Sequence, residues 1–189
     1  MGRRLLRTKE GFISLLLSNR KDSTMKNIFS QITQLPKEEL LITLTPNLNL
    51  EQEILTNYDF SNQDLFHANF TKSILEYVNF SHANLKRTSF FNSTILNSNF
   101  SHANLKRVLF NKTKLENVDF SNANLIRANF SDSVLKNVCF DHAILSNTIF
   151  ANTTLVYPSF NETVVDKKIL QDVTIVWKLN EQNFLSRVK

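Results

Sequence analysis

Large apolar residues recur at every fifth position of this chain from residue 60 to residue 165. Phenylalanine occupies every tenth position from Phe60 to Phe160, and Leu, Ile or Val occupies each position midway between. This period matches neither the 3.6 residues of an α-helix nor the two residues of a β-strand. A helix would spread these side chains around its cylinder, and a flat strand would place half of them in water. The chain must therefore turn once every five residues to bury them all.

A second, smaller residue lies two positions before each large one. Nineteen of these 22 positions hold Ala, Ser, Thr or Val, which indicates two inward-facing slots in every unit of five. A longer period is also present, because SHANLKR at 81–87 returns at 101–107 and, as SNANLIR, at 121–127. Twenty residues are four units, so four sides make one coil. Residues 20 apart should then stack about 4.7–4.9 Å from one another, as neighbouring strands do.

The composition supports a coil and excludes some common binding motifs. Glycine occurs only at Gly2 and Gly11, so the glycine-rich phosphate loops of nucleotide-binding folds are excluded. Residues 47–157 contain neither glycine nor proline, which is not the pattern of ordinary turns between strands. A single cysteine, Cys139, can form neither an internal disulfide nor a thiolate metal site alone, and we expect it to be an inert thiol.

Several units carry the motif Ala-Asn-Leu or Ala-Asn-Phe, as at 83–85, 103–105, 123–125 and 128–130. These residues resemble the pentapeptide repeat family, whose unit is roughly A-(D/N)-(L/F)-x-x, over about 110 of the 189 residues. The resemblance implies an all-β solenoid: a right-handed quadrilateral β-helix with the centre and minus-two residues inside. The length of the repeat predicts about five coils.

The repeat divides the chain into three segments. Residues 50–165 form the predicted β-helix, 1–49 a helical N-terminal flank or cap, and 166–189 a C-terminal cap or tail. A solenoid exposes its terminal coils, so both ends need a cover.

Four stretches at the two ends of the repeat are candidates for that cover. Helices are predicted over 3–17 and 24–34, the second with an apolar face. Residues 37–55 are a first cap candidate, because Glu53 occupies a slot that elsewhere holds a small residue. The tail mixes helical and strand-like spacing, and we favour a helix there.

The centres of the units are the predicted core, with the two Phe series on opposite sides of the coil. These residues are Phe60, Leu65, Phe70, Leu75, Phe80, Leu85, Phe90, Ile95, Phe100, Leu105, Phe110, Leu115, Phe120, Leu125, Phe130, Leu135, Phe140, Leu145, Phe150, Leu155 and Phe160.

Five cations at related positions of successive coils form a candidate partner-binding edge. They are Lys86, Arg87, Lys106, Arg107 and Arg127. Such an edge could bind an acidic partner or phosphates. The alternative is a solvated edge that only keeps the rod soluble.

Two other polar series have structural explanations. His82, His102 and His142 share one outward column, but Asn122 interrupts it, and two imidazoles supply at most half of a zinc shell. We therefore expect no metal or cofactor, and attribute these histidines to duplication of the unit. Asn residues directly before the centres, such as Asn69 and Asn79, are expected to bond the local backbone.

The charge of the repeat bears on the class of function. Residues 56–165 contain nine Lys or Arg and eight Asp or Glu, a net charge of +1. We expect a non-catalytic, rigid scaffold for protein–protein interaction, since no catalytic set or glycine loop is present. The alternative, implied by one branch of the family, is a DNA mimic that protects a type II topoisomerase. That role needs a strongly negative rod, so the charge disfavours it.

The expected partner is another protein of unknown identity, which would bind to the basic edge. We do not expect the protein to bind nucleic acid. No apolar run approaches the roughly 20 residues of a membrane span. A homodimer through a terminal flank stays open. We expect a cytoplasmic protein, although export without a signal peptide is not excluded.

Overall fold

The computed structural model describes residues 47–165, 167–170 and 173–177. Seven short strands form one parallel sheet in chain order. They are β1 (Ile54–Thr56), β2 (Ile74–Glu76), β3 (Thr94–Leu96), β4 (Lys114–Glu116), β5 (Val134–Lys136), β6 (Thr153–Val156) and β7 (Val173–Val176). A 3₁₀ helix, Lys167–Leu170, lies between the last two strands. No helix of the described residues has the length and hydrophobicity that a bilayer crossing requires.

Each coil has four sides, and the predicted quadrilateral solenoid is confirmed. Strands β1–β6 form face 1, where each residue pairs with the one 20 positions later. Parallel bridges with the same step build face 2 from Asp59 to Ser159, face 3 from Asp64 to Val164, and face 4 from Asn49 to Ile149. A step of 20 on every face means that each coil stacks on the next without slipping.

The corners between faces use a left-handed backbone. Every fifth residue from Asn47 to Glu162 has φ between 50° and 64°, and none of the 24 is glycine. Fifteen of them are Asn, Asp or His, the residue types that adopt this conformation most readily after glycine. All four histidines of the chain, His67, His82, His102 and His142, stand at such corners. Turn geometry therefore explains how the chain bends without glycine or proline.

Asparagines directly before the centres accept hydrogen bonds from backbone N–H groups at the start of these corners. The Oδ1 atom of Asn69 accepts the N–H of Thr71 at 3.0 Å, and Asn79 accepts that of Ser81 at the same distance. The Asn79 amide also donates to Asp59 one coil away, at 3.1 Å. These side chains bond the local backbone as expected, but the positive φ lies three residues after them.

The interior is a dry column of aromatic and aliphatic side chains. None of the 21 predicted core residues is more than 4% exposed. Phenylalanines on face 4 stack on their partners 20 residues away, as Phe90 does on Phe110 with ring centroids 4.9 Å apart. The face 2 series meets them edge to face across the axis, as in the pair Phe110 and Phe120 at 5.5 Å. Both geometries are favourable for aromatic rings.

Hydroxyl groups in the small slots are buried but satisfied. Ser73 donates to the carbonyl of Phe70 at 2.6 Å, and Thr153 donates to that of Phe130, one coil back, at 2.7 Å. A buried hydroxyl without a partner would cost about 1–3 kcal/mol. Ser and Thr therefore fit the same slot as Ala because the backbone provides an acceptor there.

The solenoid is longer than the sequence predicted. It makes about six turns rather than five. The expectation of a cap is wrong for 47–55, because Asn49 already bridges to Asn69 and β1 begins at Ile54. Glu53 is tolerated because its side chain is only half-buried, unlike the small residues that fill this slot in the following coils.

The C-terminal segment also continues the sheet. A helical tail is wrong for Val173–Val176, which pairs with β6 in the regular step of 20. Val173, Ile175 and Trp177 pack against the core, and this burial favours the strand. The helices predicted over 3–17 and 24–34, and the rest of the tail, lie outside the described residues.

Phe110 provides the test of the stacked core. Truncation by Phe110→Ala removes a ring packed between Phe90 and Phe130 and should lower the free energy of unfolding by about 3–5 kcal/mol. The control, Lys106→Ala at the surface, should change it by less than about 0.5 kcal/mol. Thermal unfolding followed by circular dichroism compares the two. Equal melting temperatures would contradict the assignment of Phe110 to the core.

Asn122 provides the test of the corners. Its φ is 58°, so Asn122→Ala should destabilise the protein by about 1 kcal/mol, because alanine adopts the left-handed conformation less readily than asparagine. Glycine adopts this conformation freely, so Asn122→Gly should stay closer to the wild-type stability. Urea unfolding of the two variants measures the difference. An alanine variant as stable as the glycine variant would mean that this corner is not left-handed.

Candidate protein-binding edge

The five predicted cations come together at the corner between faces 3 and 4. Lys86 and Arg87 form the turn between the bridging residues Asn84 and Ser89. The next two coils repeat this turn with Lys106–Arg107 and with Ile126–Arg127. Each arginine has φ of 59°, so the three arginines leave the backbone in the same way. We call Lys86, Arg87, Lys106, Arg107 and Arg127 the basic edge.

No carboxylate in the described part of the chain lies within ion-pair distance of these five cations. The flanking columns explain this, because the bridging residues on either side are uncharged. On face 3 they are Asn84, Asn104 and Asn124, and on face 4 they are Ser89, Leu109 and Asn129. The basic edge therefore keeps its positive charges unneutralised by the rod itself.

Three lysines elsewhere on the rod do lie beside a carboxylate. On face 1, the Nζ atom of Lys136 lies 2.8 Å from Oε1 of Glu116, and Lys114 lies 3.8 Å from the same carboxylate. The hydrogen bond from Lys136 lowers the pKa of Glu116, and the charge of Lys136 acts in the same direction. Lys72 lies 4.0 Å from Glu51. Charge pairing is therefore available in this fold, and the basic edge lacks it.

A shallow groove of about 370 Å³ runs beside the basic edge. Lys86, Arg87, Lys106 and Arg107 line it together with Phe66, which stands one coil before Lys86 in the same column. Phe66 is half-buried, and its ring meets that of His67 edge to face at 4.5 Å. The groove thus combines four cations with one aromatic face.

Phe66 was not among the residues that the sequence analysis selected. The sequence does distinguish this residue, since Phe66 and Phe91 are the phenylalanines of the repeat that depart from the ten-residue register. A phenylalanine one position after a centre must face outward. Phe91 does so as well, with the Nζ atom of Lys112 5.9 Å from its ring centroid.

The histidine column has the geometry of a repeated corner. The His82 and His102 rings stack in parallel with centroids 4.7 Å apart, and Nδ1 of His142 lies 3.3 Å from the Glu162 carboxylate. Asn122 stands between the two groups. Within the ranges described, no three His, Cys, Asp or Glu side chains are grouped so that they could hold a metal ion.

Cys139 lies on face 2 and is partly buried. Burial raises the pKa of its thiol to about 11, and the nearby Asp141 and Asp119 carboxylates add to the effect, against a hydrogen bond with the Asp141 backbone that lowers it. A thiol with so high a pKa is a poor nucleophile near neutral pH, because the thiolate is the reactive form. This environment does not favour a reactive cysteine.

Comparison with known proteins gives a family but no function. A family model described as a pentapeptide repeat region matches residues 47–120 and 63–136. No curated protein sequence matches this chain.

Solved structures that match this chain include two described as pentapeptide repeat proteins and one described as a resistance protein. One, from the thylakoid lumen of Arabidopsis thaliana, is 21% identical with a TM-score of 0.36, and the match covers 73% of this chain and 91% of that one. The plasmid-mediated fluoroquinolone resistance protein QnrB1 is 14% identical with a TM-score of 0.28, covering 75% and 94%. One from Nostoc is 16% identical with a TM-score of 0.28, covering 62% and 84%. Likenesses this distant carry no functional information.

The repeat motif, the four-sided parallel coil and the matching family model agree with one another. Residues 47–136 of this chain are a pentapeptide repeat region, and the coil that they form is that of the pentapeptide repeat family.

Proposed function

We propose that this protein is a non-catalytic, rigid scaffold that binds an acidic segment of a partner protein along its basic edge. The observation that carries the proposal is the set of five cations on one corner without a carboxylate partner among the described residues. Like charges stacked one coil apart repel one another, and an acidic ligand relieves that repulsion.

The backbone under the basic edge supports this role because it sets the spacing of the cations in advance. The N–H groups of Arg87 and Arg107 each donate at 3.0 Å to carbonyls in the following coil, and Arg127 does so at 3.1 Å. Neighbouring arginines therefore start about 4.8 Å apart. A preformed array loses less conformational entropy on binding than a flexible one.

A protein ligand fits this surface better than a nucleic acid does. The array spans only three coils, or about 10 Å along the rod. Beyond it, Glu76, Glu116, Asp119 and Asp132 stand on other columns and reduce the net charge of the rod. A nucleic-acid surface needs a broader field of cations, because its affinity comes largely from phosphate contacts. A few carboxylates on an extended peptide match the available charge.

The same charge argues against DNA mimicry. A protein that replaces DNA in a topoisomerase must present a negative surface, whereas residues 56–165 have a net charge of +1. No observation on this chain favours that function.

A non-catalytic role is supported by the bonding of the candidate nucleophiles. The buried hydroxyls donate to backbone carbonyls, as Ser93 does to Phe90 at 2.7 Å. Their hydrogen bonds therefore stabilise the coil and do not activate a nucleophile. The Cys139 thiol is held in its protonated form at neutral pH by its raised pKa. The groove at the basic edge is shallow and open rather than a site that excludes water.

Charge reversal tests the proposal. The triple variant Arg87→Glu/Arg107→Glu/Arg127→Glu should lose at least tenfold in affinity for a fluorescein-labelled oligoglutamate peptide, measured by fluorescence anisotropy at low salt. Glutamate is tolerated at such a corner, since Glu162 has φ of 51°. Wild-type binding should weaken as salt is added, because the charges are exposed.

The control reverses the same number of charges elsewhere. Lys72→Glu/Lys112→Glu/Lys114→Glu lies around the corner between faces 4 and 1 and changes the net charge equally. It should retain most of the wild-type affinity. Equal losses in both variants would reduce the interaction to net charge alone, and unchanged binding by a folded arginine variant would refute the basic edge as the docking surface.

A further inference from the structure

We propose that the basic edge is the first half of a longer docking line, whose second half is apolar. The line would bind an extended peptide segment of a partner protein in which an acidic stretch adjoins an apolar one. This inference rests on the proposed function and specifies the chemistry of its ligand.

Face 3 changes character along the rod. Its outward bridging residues are Asp64, Asn84, Asn104 and Asn124 in successive coils, followed by Ile144 and Val164. Ile144 is 36% exposed and Val164 is 58% exposed. The polar ladder beside the cations is thus replaced by aliphatic side chains directly beyond them.

Face 4 is less uniform, because Leu109, 43% exposed, already stands among its polar residues beside Arg107, but it too presents an apolar residue in the coil of Ile144. Ile149 is 47% exposed and lies in the coil of Ile144, on the other side of the corner residue Asn147. Asn147 stands one coil beyond Arg127, and its neighbour in the turn is Ser146. The corner itself therefore loses its charge in the coil where Ile144 and Ile149 are both exposed.

Single exposed aliphatic residues are common on protein surfaces. Here Ile144, Ile149 and Val164 lie beyond the cations, and Leu109, 43% exposed, lies beside Arg107, all at the corner whose five cations have no carboxylate partner among the described residues. Charge complementarity then orients the ligand. Carboxylates belong over Arg87 to Arg127, and apolar side chains belong over the two coils that follow.

The length of the line sets the length of the ligand. From Arg87 to the coil of Val164 there are four coil steps, or about 19 Å. An extended peptide rises about 3.3 Å per residue, so about six to eight residues would span it. Burying the aliphatic half should add affinity that an acidic peptide of the same charge lacks.

Three fluorescein-labelled peptides of equal charge separate the two halves. The first has four Glu followed by Leu-Ile-Leu, the second has the apolar residues replaced by Ser, and the third alternates the Glu and apolar residues of the first. Anisotropy titrations should show the first binding at least tenfold more tightly than the other two. The gain should disappear in Ile144→Ser/Val164→Ser, while the affinity for the serine peptide stays the same.

A matched variant controls for general loss of apolar surface. Ile54→Ser/Ile74→Ser removes two residues, each 42% exposed, from face 1 and should leave the gain intact. Thermal unfolding of each variant confirms that it is folded.

Other outcomes would overturn the proposal in distinguishable ways. Equal affinity for all three peptides would refute the apolar half and leave the acidic docking site standing. Binding of none of them would refute the proposed function as well. Tighter binding of an oligothymidylate of the same charge would assign the edge to nucleic acid. Sedimentation showing a wild-type dimer that Ile144→Ser/Val164→Ser dissociates would assign the apolar residues to a second copy of this chain.

Discussion

The packing of one large side chain per five residues against a single axis is the interaction on which the rest of this protein depends. It requires a corner after each short side, and those corners require a left-handed residue every fifth position. Glycine would adopt this left-handed conformation without strain, but it loses more conformational entropy on folding than any other residue. Asn, Asp and His satisfy it here, and the burial of the phenylalanine and aliphatic centres outweighs the strain of the remaining corners.

This arrangement separates stability from recognition. The residues that hold the coil point inward, and the outward positions of each unit are free to vary without disturbing the core. Chemistry on the surface therefore appears as columns that run along the rod. One column can be paired, as around Glu116 on face 1, while another keeps its charges free, as at Arg87, Arg107 and Arg127. A binding function can arise from such a column without a pocket.

The sequence predicted the structural features that follow from the repeat period, and it missed the features that depend on contacts between residues of different coils. The five- and twenty-residue repeats determine the four sides, the two phenylalanine stacks and the column of cations. The ends follow from contacts that no period encodes: Glu53 breaks the small-residue pattern but stays in a regular coil, and Val173–Val176 joins the sheet because its side chains pack on the core. The groove that Phe66 forms with the cations, and the unpaired state of the basic edge, emerge only when adjacent coils are placed side by side.

The central claim is that phenylalanines 20 residues apart touch in a dry interior. Proton–proton nuclear Overhauser effects between the aromatic rings test it most directly. The account predicts strong ring-to-ring contacts between Phe90 and Phe110, whose centroids are 4.9 Å apart, and weaker edge-to-face contacts between Phe110 and Phe120. The absence of contacts at a separation of 20, with contacts only between residues three or four apart, would show a helix in place of the solenoid.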